Sequence, residues 1–183
     1  MDTTNLDKDI PDVVFKEETV RILMDTAKSE YDHEHNRTSI IDSKTNISLP
    51  IISAFLIAII PLNDYKFIFS LPTTTFYEWM IPALLFITYT STVVLSFISM
   101  LSMVKVISTR EYKVLKISDL YDEDLLSSDP INMYVTLIDS YDFARQHNSA
   151  QNSIRIKWYK LGWILSIISV LTYLVYLIIK NNM

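Results

Sequence analysis

The segment Asp32-His33-Glu34-His35 has the residue types of a metal site. On a helix, residues two apart point about 200° away from each other, so His33 and His35 share an ion only if the segment is extended. Solvated histidines on a charged helix are the expectation. A second acidic cluster, Asp119, Asp122, Glu123, Asp124 and Asp129, offers oxygens suited to Mg²⁺ or Ca²⁺, but neither an EF-hand pattern nor a turn glycine accompanies it. A solvated loop is expected there. His147 has no acidic or nucleophilic partner at a telling spacing, and no nucleophile with a paired acid and base emerges elsewhere. The chain therefore reads as a non-enzyme, with no metal and no cofactor. The uncharged polar run Gln146-His147-Asn148-Ser149-Ala150-Gln151-Asn152 points first to hydrogen bonds between helices, and second to reading the edges of a small ligand.

Asp42 and Lys44 sit within a turn of the first apolar segment. In one reading Lys44 snorkels to headgroups and Asp42 stays in water. In the other, Asp42 pairs with a base on a neighbouring helix, such as Lys105 or Lys157. Asp42, Lys44 and Lys105 then set helix registry at the membrane boundary. Further along, Thr88, Thr92, Ser96 and Ser99 recur at i, i+4, i+8 and i+11, and Gly162, Ser166, Ser169, Tyr173 and Tyr176 draw a similar stripe. In lipid, small residues permit close helix approach and hydroxyls bond across the seam. These residues form either a packing face within the chain or a hydroxyl-lined pore built from several copies.

The elements that position these groups are long helices. Leu161 to Ile179 is nineteen residues without Asp, Glu, Lys, Arg or His. As a helix it is about 28 Å long and matches a hydrocarbon core of roughly 30 Å. A soluble core helix needs a polar face toward water, and this segment has none. Phe76 to Val104 is a second span with a single charge, Glu78, at its start and Trp79 as an interfacial anchor. Ile47 to Leu62 is a shorter first span with Pro50 and Pro61 near its ends. Pro50 predicts a bend, and the length requires Thr45 and Asn46 or Tyr65 to Phe69 to complete the crossing. None of the spans carries a charge well inside, which disfavours a pump or ion-coupled transporter.

One glycine in 183 residues leaves little for tight hairpins or a phosphate-cradling loop, so the fold class is all-α. The absence of cysteine excludes disulfides and thiolate metal sites, and a net charge of −5 gives no general attraction to nucleic acid. Residues 1–44 form a cytoplasmic segment with Met1 to Pro11 as a frayed lead-in. Val20, Leu23, Met24, Ala27 and Tyr31 follow on one helix face. Residues 45–104 form a hairpin with spans at about 47–62 and 76–104, joined by Asn63 to Thr75; 105–160 is a cytoplasmic helical insert, and 161–183 the third span with a short tail. Asp129-Pro130 is a helix start, and the face Tyr134, Leu137, Ile138, Tyr141, Ala144, Asn148 continues toward the third span without a breaker. A helix from Pro130 to Ile179 is about 75 Å long and projects well below the membrane. Lys105, Arg110, Lys113 and Lys116 follow the second span, and Arg155, Lys157 and Lys160 precede the third, whereas the outer loop holds only Lys66. The N-terminus is therefore expected inside and the C-terminus outside.

The charged helix ending in E-x-x-R-x-x-x-I-D-x-K (Glu34, Arg37, Ile41, Asp42, Lys44), the membrane hairpin, a helical insert of about fifty residues, and K-W-Y-K (Lys157 to Lys160) before the third span together resemble the transmembrane effectors of Pycsar bacterial antiphage systems. The likeness runs from Tyr31 to Ile179. It implies a protein that oligomerises in the bacterial inner membrane and impairs it in response to a cyclic pyrimidine nucleotide, cyclic UMP or cyclic CMP, made by a partner cyclase. Under that implication Arg145, Arg155 and Lys157 are the phosphate candidates. The alternative is a non-enzymatic membrane scaffold or immunity subunit that holds a partner protein.

Overall fold

The computed structural model describes residues 16–62, 65–71, 75–109, 112–115 and 129–183. The described residues form four helices: α1 (Glu17–Leu62), α2 (Tyr65–Ser70), α3 (Phe76–Ser108) and α4 (Pro130–Asn181). The described residues contain no strand. The all-α class therefore stands, with three helices long and apolar enough to cross a membrane. Met1 to Pro11, the acidic residues Asp119, Asp122, Glu123 and Asp124, and the basic residues Arg110 and Lys116 lie outside the described residues.

Local signals explain where the helices begin. Glu17 and Glu18 place negative charge in the first turn of α1, where the helix dipole favours it. At α3, the Glu78 carboxylate accepts from the Thr75 backbone N–H at 3.1 Å, and the Trp79 N–H donates to the Thr75 carbonyl at 3.1 Å. The Glu78 carboxylate thereby satisfies the N-cap's own N–H, one of the donors that has no partner within the helix, and the Trp79 bond is the first i→i−4 bond of the helix. Pro130 opens α4, where its missing N–H costs no helical bond, and the Met133 N–H donates to the Asp129 carbonyl at 3.1 Å. Helix α1 runs on through Pro50, so the passage from charged to apolar sequence near residue 45 changes the environment without interrupting the backbone. The same holds for α4 near residue 161. The loop expected between the first two spans contains the short helix α2. Of the insert, residues 112–115 are non-helical and the helix begins at Pro130.

The chain divides into two compact units. Of the described residues, 16–33, 114–115 and 129–146 fall in the first. There Val20 and Ala144 are buried, and the rings of Tyr31 and Tyr141 meet with centroids 5.6 Å apart. Met24 and Ala27 are half-buried, but Leu23 is half exposed. The buried face follows Val20, Met24, Ala27 and Tyr31, and Leu23 lies at its edge, about 70° from the centre of the stripe. Arg145 bridges Glu30 at 3.2 Å and Asp142 at 2.6 Å.

The second unit, 34–113 with 147–183, holds the three candidate spans. Its buried positions alternate by four and three: Leu85, Tyr89, Thr92, Ser96, Ser99, Met103 and Val106 on α3, and Thr38, Ile41, Thr45, Ser48 and Ile52 on α1. That spacing averages 3.5 residues and keeps one seam inward where helices cross at about 20°. The distribution of polarity is inverted relative to a soluble bundle. Ser96, Ser99, Thr92 and Ser169 are buried, while Ile57, Ile87, Ile164 and Ile178 are more than half exposed. Large aliphatic side chains facing outward and hydroxyls facing inward are the arrangement lipid favours. An apolar cluster of Ile59, Ile68, Leu85, Tyr89 and Tyr176 closes one end of this unit.

Candidate functional site

Arg155 is fully buried in the second unit, about one and a half turns before the apolar part of α4. A buried guanidinium destabilises the fold by several kcal/mol unless its charge and its N–H groups are matched. Here the Nη2 donates to the Asp42 carboxylate of α1, the Nη1 to the Tyr112 hydroxyl, and the Nε to the Val106 carbonyl at 2.8 Å. The Val106 carbonyl lies in the last turn of α3, where carbonyls have no partner within the helix. The arginine thus caps that helix end with a positive charge, the sign the dipole prefers. Its guanidinium also stands over the Tyr112 ring, 5.5 Å from the centroid.

One turn earlier on α4, Asn152 is equally buried and uses both ends of its amide. The Nδ2 donates to the Glu34 carbonyl at 3.2 Å and to its carboxylate at 3.0 Å. The Oδ1 accepts from Thr38 at 3.2 Å and from the Tyr112 hydroxyl at 3.0 Å. Another turn back, Asn148 grips the backbone of Lys113, accepting its N–H at 3.0 Å and donating to its carbonyl at 3.1 Å. Residues Asn148, Asn152 and Arg155 therefore bind α1, the end of α3 and the segment after it into one polar node.

Asp42 is paired with a base on a neighbouring helix, and that base is Arg155 of α4, not one of the two example lysines, Lys105 and Lys157. The choice of Arg155 has a geometric cause. Arg155 lies on the inward seam of α4, whereas Lys157, two residues on, points about 200° away and is exposed. Lys44 and Lys105 are exposed as well, and no ion pair joins either of them among the described residues. Of the three phosphate candidates, Arg145 is held by Glu30 and Asp142, and Arg155 by Asp42, which leaves Lys157 on the surface. Arg155 and Lys157 do not converge on one anion. Tyr112, Asn152 and Glu34 are the node residues that charge spacing alone misses. The signal for them is present, since extending the face Tyr141, Ala144, Asn148 by one heptad reaches Asn152 and Arg155.

Deeper in the spans, hydroxyls pair across α3 and α4. Thr92 donates to Thr172 at 3.0 Å, Ser169 donates to the Thr92 carbonyl at 2.9 Å, Ser96 and Ser169 lie 2.6 Å apart, and Ser99 donates to the Gly162 carbonyl at 2.6 Å. A Cβ on Gly162 would stand 2.9 Å from the Met103 methyl, so this glycine marks the close approach of the two helices. Thr88 sits one residue off the seam and bonds to its own helix, at the Leu84 and Leu85 carbonyls. Ser166 is half-buried and lines an apolar groove with Phe55 and Trp163. His33 and His35 are exposed on helical backbone.

Comparison with family models, with curated proteins and with solved structures returns no match for this chain.

Proposed function

We propose that this chain is a membrane effector of a bacterial antiphage, abortive-infection system. It oligomerises in the inner membrane with its N-terminus in the cytoplasm, and it impairs membrane integrity when a cyclic nucleotide signal triggers it. The order of sequence elements supports this reading, and the observation that carries it is the buried node around Arg155. A paired charge at the base of the spans holds α1, α3 and α4 in one arrangement. Leaving one charge of such a pair buried without its partner costs about 3–5 kcal/mol. A ligand that supplies its own anion to Arg155 in place of Asp42 offsets that cost in the opened arrangement only, and so shifts the population toward it. A cyclic nucleotide phosphate has the required single negative charge. Among the candidate cations, Arg155 is thus the one whose occupation would reach the spans.

The test is dye release from liposomes containing the purified, inserted protein while cyclic UMP or cyclic CMP is titrated in. Saturable release, abolished by Arg155→Met, is expected. Release that stays at baseline with inserted protein rejects a self-sufficient nucleotide-gated effector and leaves the scaffold role.

A further inference from the structure

Along one side of the α1 and α4 pair, two grooves follow each other at heptad intervals. The first has a volume of about 320 Å³ and is lined by Ile40, Ile41 and Ile156 together with Arg37, Lys44 and Lys160. Arg37, Ile40, Ile41 and Lys44 fall at i, i+3, i+4 and i+7, so they share a face of α1. The second, of about 280 Å³, is lined by Ile51, Phe55, Trp163 and Ile167 among others. Ile51 lies seven residues beyond Lys44, and Ile167 seven beyond Lys160, so the apolar groove continues the basic one into the span. The rings of Tyr159 and Trp163 meet edge-on, 6.5 Å between centroids, where one groove passes into the other. The Tyr159 hydroxyl is within 3.4 Å of Ser48.

We propose that these two grooves form one binding site for an anionic glycerophospholipid of the surrounding bilayer. The phosphate lies among Arg37, Lys44 and Lys160, and one acyl chain runs along Ile51, Phe55 and Trp163. Two features select this occupant. The cations stand where α1 and α4 change from charged to apolar sequence, the level of headgroups, and the groove beyond them is apolar, as a soluble phosphate does not require. Lys44 and Lys160 are exposed and no ion pair joins either of them among the described residues, whereas Arg37 already bonds the Glu34 carboxylate at 3.0 Å and offers its remaining donors. The site depends on the spans lying in a bilayer and not on the effector reading.

Trp163 reports on occupancy. In a Trp79→Phe/Trp158→Phe background reconstituted in vesicles, phosphatidylglycerol with brominated chains is compared with brominated phosphatidylcholine at equal mole fraction. Quenching of Trp163 by the anionic lipid is expected to show an apparent association at least about fivefold stronger, the contribution of one basic residue beside an anionic surface. Lys44→Gln/Lys160→Gln should bring the ratio near one, while Lys105→Gln, which changes charge outside the groove, should leave it. A ratio near one in the parent protein, or one that the groove variants do not lower, overturns the proposal. So does equal displacement of the brominated lipid by soluble glycerol 3-phosphate, which assigns the cations to a free phosphate. Native mass spectrometry of the unaltered protein with the same two lipids gives the comparison without tryptophan substitutions. Retention of phosphatidylcholine as strongly as phosphatidylglycerol would again reject the site.

Discussion

Arg155 shows how burial turns a charge into a constraint. Its carboxylate partner, a phenol and a helix-end carbonyl come from three different parts of the chain. Removing only one partner strands the other charge, so Arg155→Met is expected to destabilise the second unit by about 3–5 kcal/mol. Replacing both, as Asp42→Leu/Arg155→Met, should recover much of that loss because no unpaired charge remains. Thermal unfolding of the two single variants and the double in one detergent measures this, and simple additivity of the two losses would contradict the pairing. Thr90 is the opposite case. Its hydroxyl is buried without a hydrogen-bond partner among the described residues. Thr90→Val keeps the shape and removes the orphan oxygen, so the same assay should show stability unchanged or raised by about 1 kcal/mol.

At the scale of elements, the seam between α3 and α4 depends on small side chains as much as on hydroxyls. Ser169→Ala removes its bonds to Ser96 and to the Thr92 carbonyl, and a loss of about 0.6 kcal/mol for each contact is expected. Ser169→Leu adds bulk where the helices touch and should cost about 1–3 kcal/mol beyond that. A smaller loss for leucine than for alanine, by unfolding in detergent, would mean that the helices do not approach closely. In the first unit, α4 responds to pH instead. The Arg145 guanidinium, hydrogen-bonded at 2.6 Å, holds the Asp142 carboxyl below its ordinary value against partial desolvation, with the Gln146 amide adding a bond at 2.6 Å. A lowered folded pKa means that the contact stabilises above the ordinary carboxylate value of about 3.9 and is lost as pH falls through the lower folded value. The pair is solvent-accessible, so the effect is small. Asp142→Asn should flatten this part of the acid limb in helix content followed against pH, and an unchanged limb would remove Asp142 as its source.

For the whole molecule, an odd number of crossings places the two termini on opposite sides of the bilayer. The chain has no cysteine, so single cysteines introduced at Ser29 and at Asn182 can be labelled without background. Labelling of Ser29→Cys by an impermeant maleimide only in inverted vesicles, and of Asn182→Cys only in intact spheroplasts, is expected from the basic residues flanking the spans. Both sites reacting from one side would require an even number of crossings and would remove one of the three candidate spans.

Composition and periodicity alone determined the helical class, the three apolar segments and the start of α4 at Asp129-Pro130, because these follow from short-range chemistry: one glycine, uncharged runs of bilayer length and a proline that opens a helix. The polar run through Asn148 and Asn152 was also legible as a source of contacts between helices, since buried amides need partners. The partners themselves were not. Tyr112, Asp42 and the end of α3 meet Arg155 across as many as 113 residues of sequence. The choice of Arg155 over Lys105 and Lys157 depends on which face of each helix turns inward. Helix rotation is a property of packed neighbours, and only the tertiary structure decided it.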